Sequence, residues 1–498
     1  ADHKWRLDRL IIDDLRWQGE REARAAFAKR LIPLLPEADR KVASARLAVF
    51  LQAKGAKGQL DAIPATPTPD WGLVFHRIQV LRRAGNVSEA AKLLLGAPVE
   101  EAKTVVPDSW WEERRANAYL ALKAGQPKLA YELVRDAGPL TVNPLKEQRF
   151  MAGWLALRYL RDPTAAETQF QALKKAADGP LSRARANYWL GRTAEAKGDA
   201  AAAKEAYTAA AKDADTFHGL LAMQKLKPGP QAFPIKAPTA PDDDLIQKFN
   251  DLDSVKAVVV ARKAAIDVNL MRGFIVQLRS VFDSEAGQAL VAHLSEAIGD
   301  TQMAVRTAKA GIGQNYNLLF YSYPLHSFPS YTALRKPPEP AFLLGIARQE
   351  TEFNKLTISG AGAKGLLQVM TVTAQHVCHD YNIKCDIPRL LNDTGYNAMM
   401  ASAYIGDRME DFDGSYVLTL AGYNAGPGRA KQWIEEFGDP RDPKVDPLDW
   451  IERIPITETR EYVTKVLSNI QIYRARIGEK GRALRLEEDL QRARGNFK

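Results

Sequence analysis

Hydrophobic and polar positions follow helical spacing along most of this chain, and the every-second-residue pattern of strands is scarce. Residues 1 to about 235 are rich in Ala, Leu, Lys, Arg and Glu, with short breaks at Gly or Pro. A second helical stretch, rich in Ala, Val and Leu, runs from about 244 to 311. Because an amphipathic helix buries one apolar stripe at this spacing, the pattern predicts an all-α, mainly helical fold.

An aromatic residue followed by Leu recurs every 35 residues, at Tyr119, Trp154 and Trp189. Each pair is followed by a break containing Gly or Pro and then by a second helical segment, as at 200–211. A period of about 34 residues made of helix–turn–helix units is typical of tetratricopeptide-like solenoids, whose units bury their faces against one another. We therefore predict an α-superhelical solenoid, with accidental periodicity in a helical domain as the alternative.

Two proline-rich connectors interrupt the helical pattern. The first, residues 227–241, contains five prolines and cannot be helical. The second, residues 321–340, is also rich in aromatic residues. These breaks predict three domains: the superhelical domain at 1–235, a helical linker domain at 236–320 and a third domain at 321–498.

One glutamate lies on the apolar face of a predicted helix that starts near Pro338 and Pro340. That face comprises Leu343, Ile346, Ala347, Glu350 and Phe353. Arg348 and Glu352 point the other way, and Glu352 is predicted to be solvated. Burial penalises the charged form of a carboxyl group, so Glu350 is a candidate general acid at neutral pH. The alternative, which this helix alone favours, is a structural glutamate that is salt-bridged or reaches solvent.

Residues 359–370 contain the glycine pattern of a dinucleotide-binding loop, at Gly360, Gly362 and Gly365. That fingerprint requires a preceding strand, whereas here the preceding element is the Glu350 helix. Lys364 is followed by Gly rather than by Ser or Thr, which also argues against a phosphate-binding loop. We therefore expect these glycines to allow tight turns and the close approach of a bulky ligand.

Two further polar segments, 421–428 and 450–463, are ordinary helix caps and loops when each is considered alone. Taken together with the Glu350 helix and the glycine loop, however, they resemble the catalytic domain of the soluble lytic transglycosylases, glycoside hydrolase family 23, which has a goose-type lysozyme-like fold. The matching residues are Ala347-Arg348-Gln349-Glu350 with Phe353; Ser359, Gly362-Ala363, Gly365-Leu366, Gln368 and Met370; Tyr423-Asn424-Ala425-Gly426; and Ile454-Pro455, Glu458-Thr459-Arg460 and Tyr462-Val463. Thr351, Leu367 and Thr371 depart from the usual Ser, Met and Pro of the family, but none of these changes removes the acid.

The resemblance implies a fold and a function. Large members of the family carry an α-superhelical domain and a linker domain before the lysozyme-like catalytic domain, here 321–498. Glu350 is expected to be the single acid/base that cleaves the MurNAc–GlcNAc β-1,4 bond of peptidoglycan without water and leaves 1,6-anhydromuramoyl ends. The residues expected to bind the substrate are Ser359, Gln368, Met370, Tyr423, Asn424, Glu452 and Tyr462. Glu452 has a supporting role in this interpretation: it would polarise or hold a substrate group, and its like charge would also raise the pKa of Glu350. A hydrolytic muramidase and a non-catalytic glycan-binding solenoid adaptor are the alternatives.

The formal net charge of +9 indicates a mildly basic surface suited to an anionic polymer. We see no basic stripe interleaved with aromatic residues, so nucleic acid is not a predicted partner. The expected partners are peptidoglycan strands, together with other cell-wall enzymes bound through the solenoid. No cofactor or metal ion is predicted. The expected location is the periplasm, and an N-terminal lipid anchor to the outer membrane is compatible with the resemblance.

The two cysteines, Cys378 and Cys385, are separated by six residues. They could form a small-loop disulfide in an oxidising compartment, or they could remain free thiols. His376 and His379 lie nearby, but the spacing fits no common zinc pattern. The choice between disulfide and free thiols stays open at this point.

Overall fold

The structure is a computed structural model that describes residues 2–13, 15, 19–64, 68–100 and 104–494. Within these residues the secondary structure is helical, apart from three isolated β-bridges, which confirms the all-α prediction. The chain divides into two compact units. Unit 1 consists of Ala1–Asp178 and Arg185–Ala206, and unit 2 consists of Gly179–Ala184 and Tyr207–Lys498.

Unit 1 is a succession of helices joined by short connections. Its helices are α1 (Asp2–Ile12), α2 (Glu20–Leu31), α3 (Glu37–Phe50), α4 (Ala56–Asp61), α5 (Trp71–Arg83), α6 (Val87–Gly96), α7 (Pro107–Lys123), α8 (Pro127–Val134), α9 (Val142–Arg158) and α10 (Pro163–Ala176). Two more helices, α11 (Pro180–Lys197) and α12 (Ala200–Ala211), contribute residues to both units.

The 35-residue repeat corresponds to successive helix pairs. Tyr119, Trp154 and Trp189 lie in α7, α9 and α11, and each of these helices is followed by a shorter partner helix. Trp189 is buried and packs against Phe150 and Phe170 of the preceding pair, with ring centroids 5.6 and 5.9 Å apart. Trp154 is buried as well, whereas Tyr119 is only partly buried, so the packing of one repeat on the next is clearest at Trp189.

Unit 2 carries the remaining helices. They are α13 (Phe217–Leu226), α14 (Asp243–Asp251), α15 (Asp253–Lys263), α16 (Val268–Val281), α17 (Glu285–Ala297), α18 (Thr301–Gly313), α19 (Leu319–Ser322), α20 (Pro340–Thr351), α21 (Thr371–Asp380), α22 (Arg389–Asn392), α23 (Thr394–Asp411), α24 (Tyr416–Ala425), α25 (Pro427–Phe437), α26 (Pro447–Arg453), α27 (Thr457–Ile477) and α28 (Leu486–Leu490). The first proline-rich connector is non-helical, as predicted, and α19 is a single helical turn at the start of the second. The division into three domains stays a prediction. Among the described helices, none has both the length and the apolar character needed to cross a lipid bilayer.

Helix α20 begins at Pro340, as the sequence predicts, but it is not a surface helix with one apolar stripe. All residues from Ala341 to Ala347 are buried, and the helix packs along α27. A Cβ added to Gly345 would lie 3.3 Å from the Ile470 side chain, so the glycine permits this close packing. The helix ends because Glu352 and Phe353 both adopt positive φ, 51° and 69°. Phe353 therefore does not lie on the helix, which corrects the predicted stripe.

Candidate active site

Glu350 lies in the last turn of α20, deep in unit 2, with part of its surface accessible. Burial raises the pKa of its carboxyl group to about 7. The interaction with the Tyr462 hydroxyl opposes this rise, and the charge of Glu458 adds to it. A carboxyl group with a pKa near neutrality can both donate and accept a proton at neutral pH, which is the property expected of a general acid/base.

Two tyrosines surround this carboxyl group. Tyr462, on α27, is buried, and its hydroxyl has no hydrogen-bond partner of good geometry within the described chain. Tyr423, on α24, donates a hydrogen bond from its hydroxyl to the carbonyl oxygen of Leu367, at 2.6 Å. Burial, and after it the charge of Glu350, raises the pKa of both tyrosines well above its ordinary value. Both therefore remain neutral hydroxyls beside Glu350. Because the Tyr423 proton is engaged by Leu367, Tyr462 is the one of the two that can donate a hydrogen bond to the carboxylate.

The loop after α20 holds Ser359 and Gln368. The Ser359 hydroxyl accepts a hydrogen bond from the amide of Ala363, at 3.0 Å. The Gln368 side-chain amide donates to the carbonyl oxygens of Thr357 and Gly365, at 3.0 and 2.9 Å, while its backbone adopts a φ of 51°. These bonds fix the shape of the loop, and both side chains remain partly exposed.

Gly365 is required by packing inside the protein rather than by a ligand. Its φ is 74°, and an added Cβ would lie 2.3 Å from the carbonyl oxygen of Leu390 and 2.5 Å from the Asn397 side chain. Packing therefore accounts for this glycine, and the close approach of a bulky ligand to the loop stays a prediction. The predicted turn is present at Gly362, where φ is 88°.

Met370 and Asn424 lie at helix ends. Met370 is the N-terminal capping residue of α21 and is partly exposed. The side-chain oxygen of Asn424 accepts a hydrogen bond from the Thr459 hydroxyl at 2.6 Å, which connects the end of α24 to the start of α27. Asn424 thus helps to hold in place the two helices that carry Tyr423 and Tyr462.

Glu452 has a different electrostatic role from the one expected. It is buried in α26, and its carboxylate lies 3.6 Å from the Arg460 guanidinium. The like charge that raises the pKa of Glu350 belongs instead to Glu458, an exposed residue in the first turn of α27. The sequence contains a signal for it, because Glu458 precedes Tyr462 by four residues and so shares its helix face.

Glu352, predicted to be solvated, and Arg348, on the same side of the predicted helix, both bind other parts of the protein. The Arg348 guanidinium donates to the carbonyl and hydroxyl oxygens of Ser322, each at 2.8 Å, and to Asn469 at 2.9 Å. Glu352 pairs with Arg306 and Lys309 of α18, each at 2.7 Å. The reason is that α20 is an interior helix, so the protein covers its polar side as well as its apolar one.

The two cysteines form a disulfide between α21 and the loop that follows it. The Cα atoms of Cys378 and Cys385 are 5.4 Å apart, within the usual range for a disulfide. Neither side chain is therefore a free thiol in this structure.

We predict that Glu458→Gln lowers the pKa of Glu350, because it removes the neighbouring negative charge that raises it. Cleavage that needs protonated Glu350 should then decline at lower pH, so the alkaline limb of the pH–rate profile should move toward acid. The shift should be larger at low ionic strength, because Glu458 is exposed and its field is screened by salt. Glu461→Gln makes the same charge change on the same helix and should leave the profile in place. Coinciding profiles for Glu458→Gln and the unaltered chain would refute this coupling.

Comparison with known proteins places Glu350, the glycine loop, Tyr423 and Asn424 in a recognised domain, whereas Glu452, Glu458 and Tyr462 lie beyond the end of the matched region. Residues 330–445 match the family model described as Transglycosylase SLT domain. The soluble lytic murein transglycosylase of Escherichia coli (strain K12) is 33% identical over 154 residues, which make up 31% of this chain. The match spans only 23% of that protein's length.

Two solved structures share the fold over nearly the whole chain. An inactive mutant of the lytic transglycosylase Slt from Pseudomonas aeruginosa superposes with a TM-score of 0.68 and 22% identity, covering 94% of this chain and 73% of that chain. The 70 kDa soluble lytic transglycosylase of Escherichia coli gives a TM-score of 0.66 and 22% identity, covering 97% of this chain and 74% of that chain. The predicted fold class and the resemblance to soluble lytic transglycosylases are thus confirmed.

Proposed function

We propose that this chain is a peptidoglycan lytic transglycosylase that cleaves the MurNAc–GlcNAc β-1,4 bond without water and leaves 1,6-anhydromuramoyl ends. The observation that carries the proposal is Glu350, a carboxyl group with a pKa near 7 inside the SLT-matched region. The similarity to a soluble lytic murein transglycosylase supports the choice of substrate.

Glu350 performs both proton transfers in this mechanism. Its protonated form donates to the glycosidic oxygen, and the bond from that oxygen to C1 of MurNAc breaks as the GlcNAc-bearing chain leaves. The N-acetyl oxygen of the substrate assists this departure, in place of a protein nucleophile. Glu350, now a carboxylate, removes the proton from the C6 hydroxyl, whose oxygen bonds to C1 and closes the anhydro ring. One proton leaves Glu350 and one returns, so no water is consumed.

Tyr462 helps to set the pKa of Glu350, on which both proton transfers depend. Its neutral hydroxyl lies near enough to Glu350 to favour the carboxylate over the carboxylic acid, which lowers the pKa of Glu350. Burial favours the acid instead and is the larger effect. The two opposing effects hold the pKa near neutrality, where neither protonation state of Glu350 is costly to reach.

The remaining predicted site residues would position the sugars. We assign substrate contacts to the partly exposed side chains of Ser359, Gln368, Met370, Tyr423 and Asn424, since each lies on a loop or helix end of unit 2. Glu452 would act less directly, because its partner Arg460 lies two residues before Tyr462 on α27. Holding the C6 hydroxyl close to C1 is the main gain from such positioning.

Product analysis tests the proposal. Purified chain incubated with purified peptidoglycan should release fragments with anhydromuramoyl ends, each lighter by one water molecule than the matching reducing-end fragment. A parallel digest with a hydrolytic muramidase provides the reducing-end masses. Reducing ends from this chain would identify a hydrolase instead, and the absence of any released fragment would favour a glycan-binding adaptor.

The proposed substrate places the protein in the periplasm, where peptidoglycan lies. Attachment to the outer membrane through an N-terminal lipid remains a prediction, as do contacts between the solenoid and other cell-wall enzymes.

A further inference from the structure

An apolar groove with cationic edges lies between the first two helices of unit 1. We call it the aromatic groove, and it is lined by Trp5, Arg6, Arg9, Leu10, Phe27, Arg30 and Leu31. Its volume of about 440 Å³ lies within the range of pockets that hold small ligands. Trp5 and Phe27 stay 56% and 57% exposed, which is unusual for two large rings beside one another.

These two rings do not belong to the core that holds α1 and α2 together. That core is built from other residues, including Leu7, Ile11, Ala25 and Ala28, all of which are buried. The fold of this helix pair therefore does not depend on Trp5 and Phe27. Exposed aromatic residues without a packing role are typical of binding surfaces.

The arginines of the groove are arranged for an anionic ligand. The Arg9 guanidinium lies 5.9 Å from the Trp5 ring centroid, and the Arg30 guanidinium lies 5.5 Å from the Phe27 ring centroid. A guanidinium held over a ring keeps its N–H groups available for a carboxylate. Among the described residues, the one carboxylate near Arg9 is that of Asp13, at a long 3.8 Å, and no carboxylate forms an ion pair with Arg6 or Arg30.

We propose that the aromatic groove is an accessory binding site for the anionic, peptide-bearing strand of peptidoglycan; this rests on the proposed function. The C–H faces of the sugars or the aliphatic parts of the stem peptides would lie against Trp5 and Phe27. The carboxylates of the stem peptides would pair with Arg6, Arg9 and Arg30, forming charge-assisted hydrogen bonds. A concave groove with rings on both of its helices suits a chain-like ligand better than the flat surface of a bilayer.

Co-sedimentation with insoluble peptidoglycan sacculi tests the site, with the full chain carrying Glu350→Gln so that the sacculi are not consumed. In that background, Arg6→Glu with Arg30→Glu should weaken binding about tenfold, because charged hydrogen bonds are lost. The matched control is Lys128→Glu with Arg135→Glu, which reverses two exposed cations elsewhere in unit 1 and should bind like the parent.

A second pair of variants tests the rings. Trp5→Ala with Phe27→Ala should also weaken binding by about tenfold. Leu95→Ala with Val142→Ala, which removes two other exposed apolar side chains of unit 1, should not. Circular dichroism and thermal melting show that each variant is folded before its binding is compared. Sacculi whose carboxylates have been amidated should bind the parent and the Arg6 and Arg30 variant equally.

Binding of both groove variants at the parental level would overturn the proposal. So would a loss that appears only on vesicles of phosphatidylglycerol and not on sacculi, since the groove would then bind a membrane surface. The proposed function is tested by a separate experiment, and it fails if the chain with Glu350 intact releases no anhydromuramoyl products.

Discussion

Glu350→Gln should reduce the release of anhydromuramoyl fragments by about 10³-fold or more, since a general acid contributes 10²–10⁴-fold and this residue acts in both proton transfers. Glutamine keeps the size of the side chain but can neither donate the proton to the leaving oxygen nor accept one from the C6 hydroxyl. Single-turnover digestion of purified peptidoglycan, with products separated and weighed by mass spectrometry, measures the loss. Turnover by the Gln variant close to that of the unaltered chain would remove Glu350 from the mechanism.

The same substitution should not weaken the fold. A carboxyl group whose pKa is raised to about 7 in the folded state binds its proton more tightly there than in the unfolded chain. Folded stability therefore declines as the pH rises from the unfolded pKa, near 4.5, to about 7. Glutamine has no such charge, so the variant should exceed the unaltered chain in stability above pH 7, by on the order of 3 kcal/mol, and match it in acid. Thermal melting of both proteins at several pH values measures this difference in stability. It also shows whether the Gln variant is folded, so that a loss of activity cannot be due to unfolding.

Glu352→Gln is the matched control for Glu350→Gln. It converts a carboxylate to an amide two residues away, and this carboxylate pairs with α18 rather than facing Tyr462. We expect cleavage to persist, with a loss of stability of about 1 kcal/mol at most, because its cationic partners are exposed.

Local features of the sequence were sufficient for much of the fold. The aromatic repeat at Tyr119, Trp154 and Trp189 predicts helix pairs because each unit packs mainly on its neighbours along the chain. The start of α20 at Pro340 is similarly local, since it depends on the residues of that segment alone. Both predictions agree with the structure.

Long-range partners account for the incorrect predictions. Glu352 is assigned to solvent by helical periodicity, yet it pairs with Arg306 and Lys309, which lie 46 and 43 residues away in the sequence. Periodicity describes how a helix is divided into two faces, but it does not show that the protein covers both. For a similar reason, Glu452 rather than Glu458 is predicted from the sequence to be the negative charge near Glu350. Which of the two lies closer depends on how α26 and α27 pack against α20, and the sequence pattern does not show this.

Arg474→Met should lower the free energy of unfolding by about 3 kcal/mol, because it removes the buried cation that Glu339 and Asp489 share and leaves them only the more exposed Arg485 and Arg492. The Arg474 side chain is fully buried and donates hydrogen bonds to Glu339 at 2.5 and 3.0 Å and to Asp489 at 2.6 and 3.1 Å. Glu339 is the residue directly before α20, and it also accepts a hydrogen bond from the Tyr416 hydroxyl. Arg474 thus ties α27 and α28 to the start of the helix that carries Glu350.

The pH dependence of this loss distinguishes a lost charge pair from a simple packing defect. Burial alone would raise the pKa of Glu339, but the hydrogen bonds from Arg474 lower it in the folded protein. This carboxylate therefore stabilises the unaltered chain above its unfolded pKa, and the contribution is lost as the pH falls through the folded pKa. Without Arg474 the pKa of Glu339 should rise instead. Denaturant titrations should therefore show the largest difference in unfolding free energy between the two proteins near neutral pH, and a smaller difference in acid.

The control is Arg482→Met, which removes an exposed arginine paired with Glu488 and should lower the unfolding free energy by less than about 1 kcal/mol at either pH. If Arg474→Met lowers the unfolding free energy as little as this control does, or by the same amount in acid as at neutral pH, the buried ion pairs do not hold α20 in place.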